Sequence, residues 1–167
     1  RNGRIGKLQR IDVILPKQPG DAGDPTPQPV PPELDYEMWL GPAPFAPYTP
    51  GRLHFNFRWI WAYSGGIIPD WGAHLFDTAQ WANDTERSGP VEVEGAGTHW
   101  EGGLYDTVKD YDVTFRYANG VEVRLRFPDE EPYRGPRLGA IFVGEKCKIE
   151  INRNKFTTNP PDFIQHP

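Results

Sequence analysis

The chain reads as an α+β domain built on a largely antiparallel β-sheet. Three observations predict this class. From residue 90 onward strand-like segments follow one another without an intervening helix, whereas a doubly wound fold would alternate the two. Two alternating runs meet at Asn119-Gly120, a pair that favours a tight hairpin turn. One long helical repeat, 68–82, stands before them. The 167 residues, 37% hydrophobic and 13% aromatic with six Trp, suit a single domain over 1–167 with a real core.

Taken in order, Arg4 to Leu15 reads as a first strand closed by Pro16. On it Arg4 and Arg10 share one face and Lys7 the other, so this small basic cluster is a solvated edge. Residues 16–32 hold seven prolines with Gly20 and Gly23, an extended loop that cannot enter a sheet interior. It is a surface linker or an arm laid across a partner subunit. Residues 33–40 predict a short helix with Tyr36, Trp39 and Leu40 inward, stopped by Gly41-Pro42. Residues 52–59 alternate polar and apolar side chains; if extended, they place His54, Asn56 and Arg58 on one side as a pocket wall. After the helix, 90–95 opens a strand leading to 97–103, 110–117 and 121–127 form the hairpin, and 138–143 pairs with 146–151 across Gly144-Glu145. A last short strand covers 155–157.

The helix carries the chemistry. Asp70, His74, Asp77 and Trp81 recur at helical spacing along one face, approached through Ser64-Gly65-Gly66. A carboxylate one turn before an imidazole supplies a proton acceptor beside a group that titrates near neutrality. The competing reading makes Asp70 a first-turn residue that complements the helix dipole and His74 a packed histidine.

The run Phe57-Arg58-Trp59-Ile60-Trp61, then Tyr63-Ser64-Gly65-Gly66 and Asp70-Trp71-Gly72-Ala73-His74, resembles the C-terminal domain of the Gfo/Idh/MocA oxidoreductases. So do Pro32-Glu33-Leu34-Asp35-Tyr36, Trp39-Leu40-Gly41-Pro42-Ala43-Pro44 and Val143-Gly144-Glu145-Lys146. The resemblance implies an open sheet with a few helices on one face and the other face used for oligomerisation. It makes Asp70 and His74 the family's Asp-x-x-x-His pair beside the substrate hydroxyl, with His74 as acid/base or orienting group. Arg58, Tyr63, Trp71 and Asp77 then line the substrate, a sugar or cyclitol. The family oxidises or reduces such substrates with a nicotinamide cofactor, yet this chain shows no strand followed by Gly-x-Gly-x-x-Gly and no Glu-Lys-Pro motif. No NAD(P) site is therefore expected within it, and no hydride transfer by the chain alone.

A formal net charge of −5 argues against nucleic acid as a partner. A single cysteine, Cys147, excludes an internal disulfide and a thiolate metal cage, and reads as a packed thiol or a surface residue. No apolar run is long enough to span a bilayer and no secretory signal opens the chain, as expected of a soluble cytoplasmic or periplasmic protein. Tyr111, Val113, Phe115 and Tyr117 alternate onto one side of their strand, and such an apolar sheet face predicts a homo-oligomer. A second function class is a metal-dependent hydrolase of esters or phosphoesters: His54, Asp70, His74 and His99 offer enough N and O ligands for zinc or manganese if the fold gathers them.

Overall fold

A computed structural model describes residues 3–16, 18–126, 138–153, 155–161 and 163. Its frame is one seven-stranded sheet with spatial order β2-β3-β4-β1-β5-β6-β7. The strands are β1 (Leu8–Ile14), β2 (Glu92–His99), β3 (Val108–Arg116), β4 (Glu122–Arg126), β5 (Gly139–Gly144), β6 (Lys148–Asn152) and β7 (Lys155–Asn159). Every pairing is antiparallel except β1 with β4, which run parallel. The α+β class and the antiparallel sheet are as the sequence predicts, and each hairpin lies where its turn residues place it. The first strand starts later than expected: Gly3 to Gly6 form a turn, so Arg4 and Lys7 precede β1 and Arg10 instead pairs with Asp12 at 2.9 Å.

Period-two alternation sorts the residues onto two faces. In register, Ile11 faces Val123 and Phe142, and Val13 faces Leu125 and Ala140, all buried on the inner face. Against this face lies the helix α2 (Ile67–Ala82), which contacts β1 and β5 and sets Phe76 edge-on to Phe115 at 4.9 Å. Tyr111 and Tyr117 are buried and Phe115 is half-buried in the same layer. Of the apolar row, Tyr111 and Tyr117 are thus buried in the core and Phe115 meets Phe76 of α2, while Val113 and Phe115 stay half-buried.

Across β2, β3 and β4 the outer face is polar. Arg116 spans three strands, reaching Glu92 (2.9 Å) and Glu94 (3.0 Å) on β2 and Glu122 (3.5 Å) on β4, while Arg124 holds Glu122 at 2.7 Å and Arg126 meets Asp112 at 3.6 Å. Hydrogen bonding from Arg124, reinforced by the charges of Arg124 and Arg116, lowers the Glu122 pKa. A carboxyl depressed in the folded state stabilises fully above its unfolded value near 4.5, and that contribution disappears as pH falls through the folded value. Urea midpoints taken from pH 7 to pH 3 should therefore fall more steeply in the wild type than in Glu122→Gln. Superimposable pH profiles would refute the linkage.

The short helix α1 (Tyr36–Leu40) is capped by the Asp35 carboxylate, which accepts from Met38 N, and ends at Gly41. Its buried Tyr36 and Leu40 close a small second cluster with Tyr48, packed by Trp39 and Tyr63. The Pro-rich loop is tied down along its length: Gln18 Nε2 donates to Lys109 O, Tyr105 N and Leu104 N donate to Ala22 O and Gly23 O, and Gln28 N donates to Tyr48 O. Between these ties residues 24–30 stay exposed. Cys147 is buried, a packed thiol whose pKa desolvation raises. Among the described residues no helix is long and apolar enough to cross a membrane.

Candidate functional site

The approach to α2 differs from the expected extended wall. Residues 50–52 and 54–59 coil into two 3-10 segments, with His54 at φ 52° turning the chain between them. His54, Asn56 and Arg58 therefore do not line one side of a strand; His54 is exposed at the head of the second segment. The alternation that suggests a strand is overridden because Trp59 and Ile60 are drawn into the core, shortening the path.

This coil puts Arg58 at the mouth of the helix. Gly66 N donates to Arg58 O at 2.9 Å, fixing the guanidinium beside the first turn of α2. Arg58 Nε then donates to Asp70 Oδ2 at 3.0 Å and Nη1 donates to Phe55 O at 3.1 Å. The guanidinium carbon lies 3.8 Å from the centroid of Phe55, a ring that is 60% exposed. Sequence reasoning singled out Arg58 and Asp70 separately; the fold joins them. It gives Phe55 a part that alternation did not reveal.

Helix α2 buries Ile67, Gly72 and Ala79 and leaves His74 and Asp77 exposed, one and two turns beyond Asp70. Trp81 shares that face at 59% exposure. The helix ends at Asn83, whose N donates to Ala79 O, and Asn119 of the hairpin turn donates Nδ2 to Asn83 Oδ1 at 2.9 Å. Trp71 is half-buried and meets the His74 ring edge-on at 5.8 Å. Over its ring, 4.5 Å from the centroid, lies the guanidinium of Arg153 from the β6–β7 turn. The sequence shows Asn152-Arg153-Asn154 only as a turn, because nothing local signals that Arg153 comes down on α2.

Tyr63 belongs to an adjoining recess. Its hydroxyl accepts from Arg52 Nη1 at 3.2 Å and its ring stands edge-on to Trp39 at 5.2 Å. With Phe57, Pro42 and Pro44 these rings line a shallow hollow of about 590 Å³.

Among the described residues no three His, Cys, Asp or Glu side chains gather as a metal ion requires. The set His54, Asp70, His74 and His99 is thus corrected: Asp70 and His74 share α2, His54 heads the 3-10 segment, and His99 ends the outermost strand β2 with Nδ1 3.0 Å from Asp106 O. With that set dispersed, the hydrolase reading loses its proposed zinc or manganese ligands. Nor do the described residues fit a nicotinamide dinucleotide. Gly65-Gly66 enters α2 from a coil, and the helix's first turn carries the Asp70 carboxylate where a pyrophosphate would need bare N–H groups.

A sequence profile of an oxidoreductase family, the C-terminal alpha/beta domain of the Gfo/Idh/MocA group, matches residues 21–166. No curated protein matches the chain.

Proposed function

Because the chain belongs to the Gfo/Idh/MocA oxidoreductase family as its C-terminal alpha/beta domain, we propose that it supplies the substrate-binding and oligomerisation half of a nicotinamide-dependent sugar or cyclitol oxidoreductase. The single observation that supports this best is the Arg58–Asp70 ion pair one turn ahead of an exposed His74. The pair directs the Asp70 carboxylate so that it accepts from one substrate hydroxyl, while His74 takes or returns the proton of the neighbouring hydroxyl. Hydride acceptance is the cofactor's chemistry, and these residues provide no step of it. Their part is to hold and orient the polyol and to move one proton.

Titration with myo-inositol and with glucose, followed by the backbone and imidazole resonances of α2, tests this reading. Saturable shifts are expected at Asp70 and His74, weakened about tenfold or more in Asp70→Asn and in His74→Ala, as fits loss of a charge-assisted hydrogen bond. Unchanged affinity in both variants would overturn it.

Association through the outer sheet face belongs to the same reading. Arginines and carboxylates of both signs cross that face, so a second copy can meet it with complementary charge. Light scattering should give a multiple of 19.0 kDa that decreases at high salt; a monomer at every salt concentration argues against it.

A further inference from the structure

We infer that Arg153 is a specificity-determining residue that selects substrates bearing an anionic substituent, a carboxylate or a phosphate, at the Asp70/His74 face. The inference rests on the substrate-site reading above and narrows it from polyols in general to acidic ones.

Charge accounting points to Arg153. Arg10, Arg58, Arg116, Arg124 and Arg126 each lie between 2.7 and 3.6 Å from a carboxylate. Arg4, Arg52, Arg87 and Arg153 lie outside that set; Arg52 donates to Pro47 O and to the Tyr63 hydroxyl, whereas Arg153, with no ion pair to a described residue, is set above a ring of α2. With its carbon 4.5 Å from the Trp71 ring centroid, the guanidinium is steadied by a cation–π contact that uses none of its N–H groups and leaves its N–H fork for a bidentate acceptor. An arginine with no carboxylate partner among the described residues, steadied over an indole, is pre-organised for a planar or tetrahedral oxyanion.

Its location relates that fork to the reacting group. Arg153 lies 4.5 Å from the Trp71 ring and Trp71 lies 5.8 Å from the His74 ring, two contacts in series that link guanidinium to imidazole through one indole. Asp70 does not oppose an anion here because Arg58 already neutralises it. The remaining carboxylate of the face, Asp77, sits almost a turn beyond His74, away from the Trp71 end. A sugar whose hydroxyl meets His74 while its acidic substituent meets Arg153 satisfies all of these charges together. One carrying a second anion toward Asp77 would be repelled.

Binding of glucuronate, glucose 6-phosphate and glucose, read by calorimetry and by the His74 imidazole shift, tests the inference. At least one acidic probe should bind about tenfold or more tightly than glucose, and that advantage should shrink as salt rises. Arg153→Gln, an exposed turn substitution that keeps an apolar stem over Trp71, should erase the advantage and leave glucose affinity unchanged; Arg153→Lys should retain part of it. Preference for glucuronate identifies a carboxylate and preference for glucose 6-phosphate a phosphate. Glucose shifting His74 as strongly as either acid, or an acid preference that survives Arg153→Gln, overturns the role of Arg153 and leaves the substrate site intact. No probe shifting His74 at all overturns both.

Discussion

Leu125→Ala should destabilise the domain by about 2–5 kcal/mol, visible as a lower urea midpoint with an unchanged slope and a melting temperature reduced by about 5–15 °C. Leu125 is wholly buried on β4, in register with Val13 on one neighbouring strand and Val113 on the other. Hydrogen-bonded ladders on both sides hold those neighbours at their spacing, so the sheet cannot close over the missing atoms and the void persists. A loss below about 1 kcal/mol would mean that the inner layer is far softer than its burial implies.

Gly66→Ala should cost about 2–5 kcal/mol for two separable reasons. At φ 78° and ψ −154° residue 66 occupies backbone space that residues with a Cβ rarely enter. Its added methyl would also lie 2.9 Å from Thr107 Oγ1 and 3.0 Å from Thr107 Cβ, and Thr107 is completely buried, without room to retreat. The same glycine donates its N–H to Arg58 O, so its displacement should loosen the Arg58–Asp70 pair. Stability and polyol-induced shifts at His74 should decline together. Adding Thr107→Ala to Gly66→Ala should recover only part of the steric cost, because it removes Oγ1 and leaves the Thr107 Cβ in place. Full recovery by the double variant would show that backbone strain contributes nothing, and a stable Gly66→Ala with an intact His74 response would refute both components.

Much of this architecture is legible along the chain because its signals are local. Asn119-Gly120 makes a tight turn wherever alternating strands flank it, and the spacing of Ile67, Trp71, Leu75 and Ala79 gives α2 a buried stripe whatever lies beneath. The site is legible to the same degree. Asp70, His74, Asp77 and Trp81 fall on one exposed helical face because a 3.6-residue period requires it.

Other features depend on partners distant in the chain. Nothing around Leu8–Ile14 announces that it runs parallel to β4 and antiparallel to β5; that follows from inserting one apolar strand between two hairpins at the sheet centre. The aromatic side of β3 alternates as an exposed face would, yet its Tyr111 and Tyr117 are buried in the core. Residues 52–59 alternate as a strand would, yet burial of Trp59 and Ile60 outweighs so weak a preference and winds them into 3-10 turns.

Periodicity and turn chemistry, which act over a few residues, were enough to set the α+β class, the hairpins and the helix bearing Asp70 and His74. Only the folded chain decided that Arg58 clasps Asp70, that His54 and His99 stay apart from them, and that Arg153 comes to rest on Trp71. The reason is range: side-chain pairing beyond a few residues, twelve for Arg58–Asp70 and far more for Arg153–Trp71, is set by how the layers pack, and neither residue of such a pair carries a mark of the other.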